Sequence, residues 1–410
     1  MMIVLVSCTR TKANHAAPAS DLYTSPLFLE AKRYANSRAS SWFIISAKHG
    51  LVLPEQVLDP YDLPLASLSS PERKKWAEGV WASLHRQIND KEAEITLLMD
   101  DTYADALVSA ARPKAWCLVR PFRSRSKEAC IGWLSDVLGD TARRSILMEF
   151  YAQLKRLGDF LGEIPRLNQL PLQYKVPMRG VYFFFEDGQT RTVERCLCAR
   201  VVRVGTHAVS ANSEATLWSR LKAHKGTTTG VGNHRTSIFR LHVGKAIRES
   251  MNRTGSFPTW GVGQISTPQL SAAEAELESR VSAHLARMQL LWVAIPDEPS
   301  AGSDRAYIEQ NAIALLAGPS GPFDIPTEDW LGWKSPHEAI RSSGLWNVNY
   351  VRNTYDTRFM EVFTRYVDST VGMLPFPNSS IAPKGWHHSH PDPNQMTLFQ
   401  RQEGHDEDRQ

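Results

Sequence analysis

Residues 179–194 read RGVYFFFEDGQTRTVE, and residues 198–205 read CARVVRVG. The first stretch is a dense aromatic and β-branched run interrupted by Asp187-Gly188, a pair suited to positive-φ turn positions. A hairpin turning at those two residues is expected there. The second stretch is a further strand that stops at Gly205. Outward from this pair the periodicity becomes helical: Glu214 to His224, Ala272 to Ala286 and Arg305 to Leu316 carry apolar residues on one face, and QLLWVAI (289–295) is one more strand. Residues 170–376 are thus expected to form an α+β domain around a small antiparallel sheet.

Upstream the pattern differs. MIVLVS (2–7), WFIIS (42–46), EITLLM (94–99) and WCLV (116–119) are short continuous apolar runs, as in strands buried on both faces. Helical stretches separate them, two opened by Ser25-Pro26 and Ser70-Pro71, each a cap followed by proline in the first turn. Alternation of strand and helix implies an α/β domain over residues 1–144, with a mostly parallel sheet flanked by helices. A helical segment within 145–169 is expected to connect the two domains. Beyond Pro377 the chain turns polar and rich in His, Pro, Asp and Gln, so 377–410 reads as a disordered tail.

Composition narrows the class. No apolar run approaches the ~20 residues that span a bilayer, so no membrane partner is expected. MMIVLVSCTRTK is apolar first and basic afterwards, the reverse of a secretory signal, and reads as a buried strand. The five cysteines are odd in number and form no C-x-x-C pair, which argues against disulfide scaffolds and thiolate zinc sites and fits a reducing cytoplasm. A net charge of +4 is too mild to indicate nucleic acid by itself, so the placement of charge matters more.

Four signals follow one another in the second half: Gly180-Val181-Tyr182 on the first strand, Arg203-Val204-Gly205 closing a later one, Arg220 in LWSRLKAH, and Glu309 in RAYIEQNAI. This order resembles the GIY-YIG nucleases over residues 175–370. The resemblance implies Mg²⁺- or Mn²⁺-dependent hydrolysis of DNA phosphodiester bonds. It assigns water activation to Tyr182, phosphate binding to Arg220 and the metal to Glu309. His224, one helical turn after Arg220, and His234 are secondary candidates. Asn347, with Asn349 as competitor, matches the family's late asparagine. Chemistry agrees: a carboxylate suits a hard cation, and arginine offers phosphate a planar charged fork. Arg203 departs from the family, standing where its second tyrosine belongs. Read alone, Tyr182 is core, and Arg220 and Glu309 are solvated helix residues.

Between Arg220 and Arg253 lie eight basic residues opposed only by Glu249. Lys222, Lys225 and Arg235 are the expected backbone contacts in this run. A second basic run, Arg112 to Lys127, offers another such surface. His387, His388 and His390 read as solvated polar sequence.

The first half has its own pattern: Ser7-Cys8-Thr9 with Lys12, then DLYTSPLF (21–28), SAKHGLV (46–52) and DPYD (59–62). It resembles a bacterial and phage domain family of unassigned function, distantly similar to uracil-DNA glycosylases. Ser7, Thr9, Lys12, Ser46, Lys48 and His49 follow strand ends, where open α/β sheets bind ligands, so a nucleotide or base pocket is expected. The combined reading is a DNA endonuclease suited to defence against phage or foreign DNA, or to repair. The competing readings are a non-catalytic nucleic-acid binding module and a glycosylase-like enzyme using the first domain.

Overall fold

The computed structural model describes residues 1–88, 92–113, 116–170, 174–193, 196–227, 232–251, 257–263, 267–384 and 386. The chain divides into two compact units. One comprises Met1–Thr141, Thr190–Cys198 and Asp324–Trp330; the other comprises Ala142–Gln189, Ala199–Phe323 and Leu331–Gln410.

The first unit contains β1 (Met2–Ser7), α1 (Pro26–Arg38), β2 (Ser41–Ser46), β3 (Gly50–Val52), α2 (Ser70–Gln87), β4 (Ala93–Leu98), α3 (Asp101–Ser109), β5 (Trp116–Val119) and α4 (Lys127–Gly139). Sheet order is β3-β2-β1-β4-β5. All neighbours are parallel except β2 and β3. Ile3, Val4, Leu5 and Val6 of β1 are buried, which is why that strand shows no polar alternation. Ser25 Oγ accepts from Phe28 N at 3.3 Å to start α1. For α2 the cap is Ser69, one residue before the expected Ser70, because Glu72 closes a capping box on it. The chain runs from β1 to β2 on one side and later to β4 on the other, so the sheet's switch point lies at the carboxyl end of β1.

The second unit contains most of α5 (Thr141–Leu161), β6 (Gly180–Val193) and β7 (Cys196–Gly205), and all of α6 (Leu217–Lys225), α7 (Ile238–Ser250), α8 (Pro268–Ala286), β8 (Gln289–Ala294), α9 (Asp304–Ala317), α10 (Glu338–Ser343) and α11 (Phe359–Thr370). The sheet order is β8-β6-β7, with β8 antiparallel to β6 and Trp292 opposite Tyr182. The Asp187-Gly188 pair is not the hairpin turn. It lies inside β6, where Gly188 has φ of 79°. A positive-φ glycine within a strand is absorbed as a bulge, a local signal indistinguishable from a turn in sequence. Residues 194–195, between β6 and β7, lie outside the described residues.

Helix α5, expected as a connector, contributes to the second unit's core. Phe150 meets Phe183 at 5.6 Å and Phe363 at 5.3 Å between ring centres. Arg143 Nε donates to the Leu315 carbonyl at 3.0 Å. The start of the polar tail is tied down, against the compositional expectation. Ile381 N and Ala382 N each donate to the Asp304 carboxylate at 2.9 Å, and the Trp386 ring lies edge-on to Tyr307. His387, His388 and His390 lie outside the described residues, as do Lys114 and Arg253. No helix among the described residues is long and apolar enough to cross a membrane.

Candidate active site

Two glycines hold the first motif together by close approach. A Cβ on Gly180 would meet the Val293 carbonyl oxygen at 2.2 Å, so β6 and β8 need glycine there. A Cβ on Gly205 would meet the Tyr182 hydroxyl at 2.2 Å. The glycine that ends the second motif therefore makes room for the tyrosine of the first. Beyond Gly205, Thr206 donates its backbone N–H to Glu309 Oε1 at 3.1 Å, and its hydroxyl donates to the Gly180 carbonyl at 2.8 Å. The end of β7 thus links the start of β6 to the glutamate of α9.

A cleft of about 380 Å³ opens here within the second unit. Arg203, Arg220, Glu309 and Asn347 line it, together with Thr206, His207, His242, Asn349 and Tyr350. Three of the expected site residues, Arg220, Glu309 and Asn347, are therefore brought together. Asn347 pairs with β7 in the manner of a backbone unit: its Oδ1 accepts from Val204 N at 3.1 Å and its Nδ2 donates to the Val204 carbonyl at 2.8 Å. Ala208 and Tyr350 adopt φ of 51° and 63°, and both line the cleft. Left-handed backbone at a bulky residue such as Tyr350 costs free energy and concentrates at functional sites.

Tyr182 lies behind this wall. It has no accessible surface, and its hydroxyl is 2.8 Å from His224 Nε2. His224 Nδ1 in turn meets Ser237 Oγ at 2.7 Å. Arg203 reaches the same phenol, donates to the Trp346 carbonyl at 2.6 Å and stacks 4.6 Å from the Phe239 ring centre. A guanidinium in place of the second motif tyrosine is thus packed and bonded, and it still faces the cleft.

The electrostatics are uneven. Glu309 retains some exposure to the cleft, yet burial pushes its carboxyl up to about 7 despite the opposing pull of Arg203 and Arg220. Burial, then Arg220, Arg203 and Arg240, holds His224 well below the ordinary histidine value. Burial, then Arg305, takes His207 down to about 3. Both rings are neutral near pH 7.

Other expected residues lie elsewhere. His234 Nδ1 is 3.0 Å from Glu278 Oε1 and the ring stacks on Trp260. Arg235 is buried in an ion pair with Glu274 at 2.5 Å. Both side chains are used internally, so neither is positioned to meet a backbone phosphate. Lys225 Nζ donates to the carbonyls of Asn168 and Leu170 at 3.0 and 2.6 Å. Lys222 is exposed on α6. In the second basic run, Arg120 is buried between Asp101 at 2.6 Å and Asp105 at 2.9 Å, and Arg123 meets Glu328 at 2.8 Å.

In the first unit four of the six expected pocket residues, Lys12, Ser46, Lys48 and His49, gather around a tyrosine that sequence reasoning left unassigned. Ser46 Oγ accepts from the backbone N–H of His49 at 2.9 Å and lies 2.7 Å from Tyr61 Oη. Tyr61 Oη is also 2.7 Å from Tyr23 Oη. Lys12 Nζ sits 4.4 Å and Lys48 Nζ 5.5 Å from the Tyr61 ring centre, and His49 meets that ring edge-on. Lys12 also donates to the Thr9 carbonyl at 2.9 Å. Ser7 ends β1 opposite Ile45. Tyr23 and Tyr61 belong to the DLY and DPYD segments, so the signal was present as motifs without a role.

Residues 141–373 match a family model described as a GIY-YIG domain. Residues 3–136 match a family of unknown function (DUF6884). No curated protein and no solved structure matches the chain.

Proposed function

Because the chain belongs to the GIY-YIG domain family, a nuclease family, we propose that its second unit is a divalent-cation-dependent DNA endonuclease. The observation that carries this reading is the convergence of Arg220 and Glu309, from different helices, in one cleft.

Among the described residues no three His, Cys, Asp or Glu side chains gather as a metal cage. Mg²⁺ or Mn²⁺ does not require one. Such hard ions keep several waters and are held by one or two carboxylates plus substrate phosphates. Glu309, an oxygen donor opening on the cleft, fits that requirement. When bound, the ion neutralises charge on the scissile phosphate. Arg220 presents a planar donor fork to the phosphate oxygens. Asn347 and Thr206 hold the end of β7 and the Glu309 carboxyl in register. Tyr182 and His224 form the bonded layer behind them, joined to Arg203, which also faces the cleft. Exposed Lys222 on α6 supplies a contact to the flanking backbone.

The test is incubation of the full chain with duplex and single-stranded DNA, with Mg²⁺, with Mn²⁺ and with chelator. Cleavage that requires the cation supports the nuclease. Tight DNA binding without cleavage under all these conditions favours the non-catalytic binding module.

The first unit supports ligand binding at the switch point of its sheet. The favouring observation is the packing of Lys12 and Lys48 against Tyr61, whose hydroxyl is 2.7 Å from Ser46 at the end of β2. A mononucleotide titration that gives no binding heat would count against it. A nuclease joined to a ligand-binding unit suits defence against foreign DNA, or repair.

A further inference from the structure

His242 stands on α7 one turn after Ile238, and both side chains line the cleft. Only 4% of the residue is exposed. Both ring nitrogens are buried, and neither has a hydrogen-bond partner among the described residues. The ring lies edge-on to His337, 5.2 Å between centres. Unsatisfied buried nitrogens are costly. A phenylalanine would fill the same space against His337 without that cost. Two orphaned nitrogens at the wall of a cleft that also holds Arg220 and Glu309 therefore point to a ligand that uses them.

Burial, then His337, Lys245 and Arg203, holds His242 well below the ordinary histidine value. Glu309 and Arg220 are the other charged groups lining the cleft. A neutral imidazole offers a lone pair to a water. Tyr182, the expected activator, is differently placed. Its hydroxyl is engaged by His224 and Arg203 and packs against Gly205, and Tyr182 is not among the described residues that line the cleft, whereas His242 is.

We propose that His242 is the base that deprotonates the attacking water, an assignment that rests on the nuclease reading above. The water oxygen bonds to phosphorus as its proton passes to the imidazole. The bond from phosphorus to the leaving sugar oxygen breaks, and that oxygen keeps the electron pair. The resulting alkoxide takes a proton from solvent, and the imidazolium returns its proton to solvent.

Three variants test this against wild type in single-turnover cleavage and in DNA affinity. His242→Phe keeps the ring packing and His242→Gln keeps a polar group, but neither can take the proton. Both should lose on the order of 10²-fold or more in cleavage rate, as for loss of a general base, with DNA affinity unchanged. His242→Ala should be equally slow and should regain part of its rate on addition of imidazole. That rescue should grow with the neutral fraction of the imidazole, a response that a packing role would not produce. Rescue is read within one protein, so it stands even if the Phe variant folds poorly. If wild type and His242→Phe cut at similar rates while Glu309→Gln does not cut, this inference is overturned and the nuclease reading survives. If wild type does not cut at all, both fall.

Discussion

Two clusters of acid and arginine lie in the second unit, and they have opposite fates. Between α7 and α8, Arg235 holds Glu274 at 2.5 Å and Arg240 holds Glu278 at 2.6 Å, with His234 bonded to the same Glu278. Although burial alone would raise Glu274 and Glu278, their bonded partners pull both below the usual carboxylate range. In the cleft, Arg203 and Arg220 stand near Glu309, yet burial wins and the carboxyl rises to about 7. The same residue types are satisfied inside the chain in one place and left facing a cavity in the other. Charge count along the sequence therefore says little about function; the location of the partner decides it.

The largest expected effect falls on the closed cluster. Arg240 is fully buried and its guanidinium spans Glu278, the His224 carbonyl and Ser282. Arg240→Ala leaves Glu278 buried without its main cation, a change that typically costs about 3–5 kcal/mol. Denaturant unfolding should show that loss. A midpoint equal to wild type would mean that the cluster is no more than a surface pair.

Acid should act next, through histidines buried neutral. His207 is depressed from 6.5 to about 3, so the unfolded chain takes up its proton first as pH falls. Stability from this group is complete above pH 6.5 and declines as pH drops toward 3. At pH 5 the loss from His207 alone is about 2 kcal/mol. Glu309, raised to about 7, gains stability over the same window, so thermal unfolding of the Glu309→Gln variant between pH 7 and pH 5 checks the sign: a second unit that gains stability on acidification in that variant contradicts this account.

The smallest effect separates exposed from buried members of the basic run. Lys222→Ala should leave folding intact and lower the salt slope of DNA binding by roughly one unit, one phosphate contact's worth. Arg235→Ala should instead lower stability. If Arg235→Ala alters only the salt slope, the division between the two clusters is misplaced.

The first unit's strands were legible because burial on both faces leaves continuous apolar runs, and its helices because Ser25-Pro26 and Ser70-Pro71 mark their starts, the second to within one residue. The convergence of Arg220, Glu309 and Asn347 was legible through the order of motifs. Long-range pairing was not. Arg235 and Arg240 read as a DNA-facing run because their acids lie on a later helix. A signal existed: Glu274 and Glu278 are four residues apart on the same buried face of α8 as Leu277, Val281 and Leu285. His242 was hidden for the same reason, sitting within a stretch that the sequence presented as a basic run. The hairpin turn was misplaced because a bulge glycine and a turn glycine need the same φ.

The claim that Glu309 is held ready for a cation is tested most directly by titrating the full chain with Mn²⁺ and counting bound ion by electron paramagnetic resonance. Wild type should bind Mn²⁺ more tightly with DNA present, since phosphate oxygens complete the ion's shell. Glu309→Gln, which keeps the shape and removes the charge, should lose that site while retaining DNA affinity, and cleavage should fall on the order of 10²–10³-fold. A Glu309→Gln protein that binds Mn²⁺ and cuts DNA as wild type does would contradict the account.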